Sequence, residues 1–330
     1  MTTKKILYNL IAAAFFLSSC QKDLDEFIPD PGAAGPDSTW FNTITTTMPV
    51  ATLKNKLLLD IQRDSFLLNP GTVTVTTTGS GLQCSIAQGV ILDPIGQPVV
   101  GKVYLETHLL KKKGDIIRMG TPTISNGSML VSGGEFFIRL IKDGVELQLS
   151  TNGHINVKYD DPPVSGLMGL FNGIEANPAA PFNWLPNMDT LNNRVYTFNQ
   201  SYEVLTNRLH WINCDYFYDT SSATPRTTVS AVLPAHYTNA NTVAYTVFND
   251  LRSVIGMYGN DVSRKFSTGQ LPSNKQVTVI IISKQGDDYY LGHQQALTMT
   301  PTAGTIGDQQ VAVTPVKTSF ENIQAYLNTL

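Results

Sequence analysis

The chain has 330 residues and a formal net charge of −3, with 23 Lys and Arg against 26 Asp and Glu. Its length accommodates two compact domains together with tails. Because only 15 % of the residues are charged and no basic surplus exists to neutralise phosphates, the composition argues against binding of nucleic acids.

The first residues have the pattern of a secretory signal. Lys4 and Lys5 form a short positive region, and residues 6–17 form an apolar run of about twelve residues. This run is too short for a membrane-spanning helix, which needs about 20 residues, and it is typical of a signal peptide. Since no second apolar run approaches that length, we expect a soluble mature body.

Residues 17–20, Leu-Ser-Ser-Cys, resemble the lipobox of bacterial lipoproteins, in which a branched residue and two small residues precede a lipidated cysteine. The resemblance implies a signal peptide over residues 1–19, a lipid anchor on Cys20 and the membrane as a partner. Each buried CH₂ group of an acyl chain contributes about 0.8 kcal/mol, so several chains anchor firmly. The alternative is an ordinary cleaved signal in which Cys20 has no role.

The polar residues after Cys20 resemble a short export signal in surface lipoproteins of Bacteroidetes-type bacteria. Gln21, Lys22 and Asp23 carry this resemblance. It implies a lipid-anchored location at the outer membrane, facing the cell exterior, whereas the alternative is a plain polar tether. Because the following residues are rich in Pro and Gly and lack periodicity, residues 20–38 are expected to be a flexible tether.

The next part of the chain, residues 39–155, has the pattern of an antiparallel β-sandwich. Segments that alternate β-branched residues with a period of two predict strands. The dipeptides Asn126-Gly127 and Asp143-Gly144 lie between apolar alternations, which is the strongest short-range signal of a hairpin. Strands at roughly ten-residue spacing with such turns predict a sandwich.

The same turns carry a family resemblance. The segments at residues 91–103, 121–138 and 143–147 resemble the N-terminal β-sandwich of uncharacterised surface lipoproteins of Bacteroidetes-type bacteria. More remotely they are similar to ZU5-like and Ig-like sandwich modules. The similarity covers about residues 64–149 and implies a cell-surface β protein, but it transfers no catalytic residue.

The remainder predicts a second β-rich domain over residues 201–330, joined to the first by a connector over residues 156–200. Apolar residues at helical spacing predict a short helix over residues 248–258. Thr318 and Glu321 form a capping box that predicts a C-terminal helix. The expected fold class is therefore mainly β, with two tandem β-sandwich-like domains, the second with a short helix and a C-terminal helix.

Residues 208–219 are the most suggestive of chemistry, because they contain His210, Cys214 and Asp215. A thiol nucleophile needs a nearby His, and positions 210 and 214 share a face of a regular strand. No oxyanion-binding motif accompanies them, and the neighbouring aromatics fit a packed strand, so no catalytic residue is assigned. No His pair or known motif has the spacing of a metal or cofactor site, so neither is expected.

Two cysteines remain once Cys20 is used for the anchor. Cys84 and Cys214 lie in what the pattern divides into different domains. A disulfide needs Cα atoms within about 7 Å, so buried thiols are favoured over a bridge, and the pairing stays open.

Aromatic residues are the candidates for ligand binding, because their rings stack on sugars. Tyr289, Tyr290 and Trp184 are the residues proposed, with core packing as the alternative for each. Ser38 and Thr190 each follow an aspartate and resemble the acceptor of general O-glycosylation in these bacteria. That resemblance implies glycosylation of both.

These observations predict a non-catalytic cell-surface lipoprotein that acts as a binding or adhesion module, or as an accessory of an outer-membrane complex. Its expected partners are the membrane and a glycan or protein ligand, without nucleic acid. One alternative is a surface hydrolase acting on glycans or peptides, since distant paired carboxylates leave no local motif. The other is a structural lipoprotein that faces the periplasm.

Overall fold

Strands make up most of the secondary structure, which confirms the mainly β prediction. The computed structural model describes residues 37–69, 73–87, 89–174, 181–218, 225–302 and 305–330. The expected signal peptide, Cys20, Gln21, Lys22 and Asp23 lie outside the described residues. Residues 38–330 form one compact unit. Among the described residues, none of the helices has the length and apolar character needed to cross a membrane.

Two antiparallel sheets form the first sandwich. The larger sheet contains β1 (Gln62–Leu68), β5 (Gly101–Leu110), β6 (Ile124–Ser125), β7 (Ser128–Lys142), β8 (Val145–Glu146), β11 (Gly169–Ile174), β12 (Asn183–Pro186) and β15 (His210–Phe217). The smaller sheet contains β2 (Thr74–Thr77), β3 (Gln83–Ile86), β10 (Ile155–Asp160), β13 (Arg194–Phe198) and β14 (Ser201–Thr206). A separate pair consists of β4 (Ile91–Leu92) and β9 (Gln148–Leu149).

The larger sheet runs β1-β5-β7-β15-β11-β12, with β6 and β8 paired to β7, and the smaller runs β13-β14-β10-β3-β2. A hydrophobic cluster lies between the two sheets. Alternate residues of each strand enter it, as the pleat requires, including Val157 and Tyr159 of β10 and Ile212 and Cys214 of β15. Each large apolar side chain buried there contributes roughly 1.5–3 kcal/mol of transfer free energy.

A third sheet of nine strands forms the second sandwich. It contains β16 (Arg226–Val232), β17 (Thr242–Phe248), β18 (Val254–Asn260), β19 (Lys265–Ser267), β20 (Leu271–Pro272), β21 (Gln276–Gln285), β22 (Asp288–Leu297), β23 (Ile306–Ala312) and β24 (Val316–Thr318). The order is β20-β16-β19-β18-β17-β21-β22-β24, with β23 parallel to β16. Side chains of β16 and β23 pack with those of β17, β18 and β21 in one cluster, so the sheet folds over its own core.

Three helices lie at the junction of the two sandwiches: α1 (Pro49–Leu57), α2 (Lys113–Met119) and α3 (Phe320–Asn328). Their apolar faces contribute Leu53, Ile117 and Leu327 to a third cluster. The same cluster takes Trp211 from β15 and Ile280 from β21, so each sandwich contributes a sheet face to it. This third core binds the two sandwiches into one packed body.

The boundary between the sandwiches differs from the predicted one. The expected connector, residues 156–200, contains β10 to β13, and all four strands belong to the first sandwich. Strand β15 was expected in the second domain but pairs with β7, where Trp211 lies opposite Phe137. Pro and Gly interrupt this part of the chain without preventing short strands, because its apolar residues fill the first and third cores. The second sandwich begins at β16.

The predicted helix over residues 248–258 is wrong. Strand β17 ends at Phe248, and β18 begins at Val254 and pairs with β17 in antiparallel register. Val254 belongs to the third core while Ile255 belongs to the core of the second sandwich. A strand buried on both faces has apolar residues on both, and that run imitates helical spacing.

The predicted C-terminal helix is confirmed as α3, with Phe320, Ile323 and Leu327 buried on one face. Its N-cap is Ser319, one residue after the predicted Thr318. The Ser319 hydroxyl accepts a hydrogen bond from the Asn322 backbone N–H at 3.2 Å.

Both predicted Gly turns close hairpins. Residues 126 and 127 have φ values of 48° and 81°, and residues 143 and 144 have values of 51° and 79°. Two consecutive positive φ angles are the feature of type I′ turns, which explains why Asn-Gly and Asp-Gly occupy these positions.

Candidate functional site

A cleft of about 690 Å³ opens at one end of the space between the two sandwiches. We call it the interlayer cleft. Its walls are formed by residues 41–44, by α1 and by the residues that end and follow α2. Its floor is formed by β17 and β18, mainly by the face that points away from the core of the second sandwich. The aromatic residues that line it are Phe41, Phe182, Tyr245, Tyr258 and Phe266.

One wall is a segment that we call the N-terminal strap, residues 40–44. The Asn239 side chain holds it by its backbone, because the Asn239 Oδ1 accepts from the Phe41 N–H at 3.0 Å and the Nδ2 donates to the Phe41 carbonyl. Trp40 packs on Phe266 with ring centroids 5.0 Å apart. These contacts fix the strap against the second sandwich.

The floor combines fixed and accessible groups. Tyr245 is buried, and its hydroxyl donates to the Ile117 carbonyl at 3.3 Å. Tyr258 is 44 % exposed and Phe41 is 36 % exposed, so both side chains are partly accessible to solvent. Gly256 also lines the cleft, where a Cβ would stand 3.8 Å from both Pro122 and the Tyr258 hydroxyl, at ordinary contact distance. The accessible part of the cleft therefore includes one aromatic residue of the floor, Tyr258, and one of the strap, Phe41.

The cleft also has a cationic side. Lys54 of α1 lies at its mouth, and none of the ion pairs among the described residues includes it. Its side chain is exposed, yet the surrounding walls exclude part of the water, and this desolvation lowers its pKa. Arg118 adds a second positive charge, with its Nε donating to the Leu57 carbonyl at 3.1 Å.

A second polar cluster lies between the sandwiches, and all of its members are buried except Arg252, whose side chain is partly exposed. We call it the buried carboxyl network: Glu135, Asp215, Asp161, Arg252 and Asn213. Arg252, in the turn between β17 and β18, forms a bidentate pair with Asp161. The Asn213 Nδ2 donates to the Asp215 Oδ2 at 2.7 Å, and Thr121 donates to the Glu135 Oε2 at 2.5 Å.

An irregularity of the sheet creates this network. The register of β15 against β7 shifts between Asn213 and Asp215, opposite Gly133 and Gly134. Gly134 has a φ of 123°, a conformation that requires glycine. A bulge of this kind redirects the side chains beside it, here two carboxyl groups into one buried space.

Burial controls the protonation of both carboxyl groups. Desolvation raises the pKa of Asp215 to about 7, although Asn213, Ser132 and Arg252 act in the opposite direction. Desolvation, together with the charge of Asp215, raises the pKa of Glu135 well above its usual value. One oxygen of each, Oε1 of Glu135 and Oδ1 of Asp215, has no hydrogen-bond partner. Neither side chain has any exposed surface.

Trp184 does not lie where a ligand could reach it. It has no exposed surface and packs in the third core, with its ring edge-on to Phe182 at 4.8 Å and to Trp211 at 6.5 Å. The expectation that Trp184 binds a ligand is therefore corrected. Strand β12 pairs with β11, and this pairing places the Trp184 ring among the apolar residues of the third core.

Tyr289 and Tyr290 are both partly exposed but are neighbours in β22, so they point to opposite faces of the sheet. Tyr289 contacts Phe320 at 5.3 Å, and the Lys56 ammonium lies 4.6 Å from its ring centroid. Tyr290 meets Tyr237 edge-on at 5.8 Å. The two rings form no common platform, and their role in ligand binding stays a prediction.

The Cys214–His210 arrangement is not assembled. His210 has a φ of 67° and stacks on Phe137 at 5.7 Å, on the face of the third core. Its Nε2 lies 2.5 Å from the Glu146 Oε1. Cys214 is buried in the first core, and burial raises its pKa to about 12, so it holds no thiolate. Cys84 lies in the same core, and both cysteines are free thiols.

Ser38 and Thr190 are both exposed, as an acceptor of a modification must be. The aspartate before Thr190 accepts hydrogen bonds from Asn192, which holds a turn at the surface. Glycosylation of Ser38 and Thr190 stays a prediction. Among the residues that the structure describes, no group of three or more His, Cys, Asp or Glu has the arrangement of a metal site.

The sequence contained a signal for the carboxyl network but none for the cleft. Glu135 and Asp215 each interrupt an apolar strand, and a charge inside such a run indicates a buried partner or a proton. The cleft residues are dispersed from position 41 to position 266, so no local motif could reveal them. Comparison of the chain with models of known protein families and with curated proteins gave no match.

Proposed function

We propose that the protein is a non-catalytic binding module of the bacterial cell surface that holds its ligand in the interlayer cleft. In this proposal the signal peptide is removed, Cys20 carries the lipid, and the anchor lies in the outer membrane with the folded body facing the exterior. The tether before residue 39 gives that body its distance from the membrane.

The cleft is the observation that supports this proposal. Its volume of about 690 Å³ falls within the range of about 300–1,000 Å³ that is usual for small-molecule sites. Such sites combine apolar and aromatic walls with a few convergent polar groups, and this one offers Phe41 and Tyr258 beside Lys54 and Arg118.

The ionisable groups favour binding over hydrolysis. A pair of catalytic carboxyl groups has to reach the substrate, whereas Glu135 and Asp215 have no exposed surface. A nucleophilic thiol has to ionise, whereas burial raises the pKa of Cys214 to about 12. The surface hydrolase is therefore the weaker alternative.

The test is ligand binding by the full-length protein, extracted in detergent and applied to arrays of glycans and of surface proteins. We expect a ligand whose binding is lost in Tyr258→Ala and kept in Phe198→Ala. Phe198 is a matched control, because it is 61 % exposed and does not line the cleft. Absence of any ligand, or equal loss in both variants, would contradict the proposal.

The location is tested separately with intact cells. If the body faces outward, protease added to intact cells removes it, and a periplasmic marker protein survives. Protection of the protein until the outer membrane is opened would support the periplasm-facing structural lipoprotein instead.

A further inference from the structure

We infer that the ligand of the interlayer cleft is an anionic glycan, a sugar chain that carries carboxylate or sulfate groups. This inference rests on the proposed function, since it names the chemistry of the ligand that the same cleft would hold. Four features of the cleft support it: its net charge, one unpaired cation, its partly exposed aromatic rings, and floor strands that are hydrogen-bonded to other strands on both edges.

The charge of the cleft is opposite to that of the chain. Its lining contains two cations, Lys54 and Arg118, and one acid, Asp261, which gives a net charge of +1. The whole chain has a net charge of −3. A local positive charge on a negative protein attracts an anion to that place.

Lys54 is a cation of the cleft without an ion-pair or hydrogen-bond partner among the described residues. Lys56, two residues later on the same helix, donates to the Tyr289 hydroxyl at 3.1 Å and lies over the Phe320 ring. Lys113 of α2 donates to the Phe248 carbonyl at 2.8 Å. Lys54 has neither an ion pair nor a hydrogen bond among the described contacts, although the cleft walls desolvate it. A ligand carboxylate or sulfate would supply the partner.

The neutral part of the lining fits a sugar ring. Phe41 and Tyr258 are partly exposed aromatic residues, and the C–H groups of a pyranose can pack against such rings. Asn42, Asn55 and Asn260 lie exposed around the same opening, and an amide both donates to and accepts from hydroxyl groups. Together these groups match a ligand that has C–H faces, hydroxyls and a negative charge.

The strands at the floor argue against an acidic peptide. Strand β17 is hydrogen-bonded to β18 and β21, and β18 is hydrogen-bonded to β17 and β19. Neither strand offers its open backbone edge to the cleft, so a peptide cannot bind there by adding a strand. At the floor, recognition therefore comes from side chains, as it does for a sugar.

The experiment measures binding of the full-length protein to oligogalacturonates and heparin-derived oligosaccharides, with neutral maltooligosaccharides and poly-glutamate for comparison. We expect binding of an acidic oligosaccharide that weakens as salt is raised. Because a hydrogen bond to a charged group contributes about 1.5–3 kcal/mol, Lys54→Gln should weaken binding by roughly 10- to 100-fold. Lys54→Arg should retain most of it, and Lys56→Gln, the matched control, should stay within about twofold.

The outcomes separate this inference from the proposed function. Equal binding of neutral sugars, unchanged binding in Lys54→Gln, or preference for poly-glutamate would overturn the anionic glycan. In each of these cases the proposed function stands if Tyr258→Ala still abolishes binding. If no ligand binds at all, the anionic glycan and the proposed function both fall. Thermal unfolding of Lys54→Gln at the wild-type temperature would verify that the variant is folded.

Discussion

Asp215 and Glu135 occupy neighbouring central strands and face a space that both sandwiches enclose. An ionised carboxylate in such a place needs a positive charge or hydrogen-bond donors beside it. Arg252 provides a positive charge, but it is already paired with Asp161. Burial therefore keeps protons on these groups at a pH where exposed acids have lost them. The stability of the fold acquires a pH dependence from two residues.

The pH dependence has a definite sign. The folded pKa of Asp215, about 7, lies above the unfolded value of about 3.9, so the folded state holds the proton more tightly. The contribution of Asp215 to the free energy of unfolding is largest below the unfolded pKa. It falls as pH rises from about 4 to 7, by on the order of 1 kcal/mol per pH unit. We expect urea unfolding at pH 5 and pH 8 to show this loss.

Asp215→Asn provides the control, because the amide keeps the shape of the side chain and cannot ionise. The difference in unfolding free energy between pH 5 and pH 8 should shrink in this variant, and Glu135→Gln should shrink it in the same direction. An unchanged pH profile in both variants would show that the network does not bind protons in this range.

Arg252 is a second residue whose effect can be predicted. Arg252→Met would leave Asp161 buried without its partner and would remove the charge that faces Asp215. We expect a loss of about 1.5–3 kcal/mol of unfolding free energy in urea titrations, the range for hydrogen bonds to charged groups, because Asp161 is buried while Arg252 is partly exposed. Lys275→Met, which breaks the more exposed pair with Asp250, should cost less than about 1 kcal/mol. Equal losses in the two variants would contradict this prediction.

At the scale of elements, β18 contains two glycines that differ in whether they tolerate substitution by alanine. A Cβ on Gly259 would stand 2.7 Å from the Asn239 Cβ and 3.0 Å from Trp40, so it would displace the strap. A Cβ on Gly256 would stand 3.8 Å from Pro122, in ordinary contact. Gly259→Ala should cost about 1–3 kcal/mol, whereas Gly256→Ala should be neutral or stabilise by about 0.5–1 kcal/mol.

Urea unfolding and hydrogen exchange measure these effects. In Gly259→Ala the amide of Phe41, which is bonded to the Asn239 Oδ1, should exchange faster. In Gly256→Ala its exchange should not change. Slow exchange of this amide in both variants would show that the strap is held by other contacts.

The elements that the sequence predicts correctly are those with a local cause. The Asn126-Gly127 and Asp143-Gly144 turns and helix α3 follow from backbone geometry and from one apolar stripe. Residues 248–258 contain the end of β17, a turn and the start of β18 instead of a helix, because strand pairing and burial on both faces outweigh the helical spacing of the apolar residues. Helices α1 and α2 were not predicted, since each is a short segment that packing at the junction stabilises.

At the scale of the whole molecule, the sequence indicates two sandwiches but not the core that joins them. The apolar residues of the third core are dispersed from Val50 to Leu327, and only the folded chain brings them together. The same dispersal hides the cleft, because Phe41, Lys54 and Tyr258 meet only where the sandwiches and helices adjoin. Long-range packing, rather than any motif, creates both features.

The shared core predicts that the two sandwiches unfold together. Leu327 of α3 has no exposed surface and lies in the cluster to which both sandwiches contribute. Removing its side chain in Leu327→Ala should cost about 2–5 kcal/mol, and the loss should reach both sandwiches because neither can keep its face of this core alone. We expect one calorimetric transition in the wild type and in the variant, shifted to lower temperature in the latter.

Hydrogen exchange in Leu327→Ala should accelerate in β10 of the first sandwich and in β21 of the second by the same factor. Phe198→Ala, at an exposed position, should leave the transition unchanged. Two resolved transitions, or faster exchange in β21 alone, would show instead that the sandwiches are independent domains.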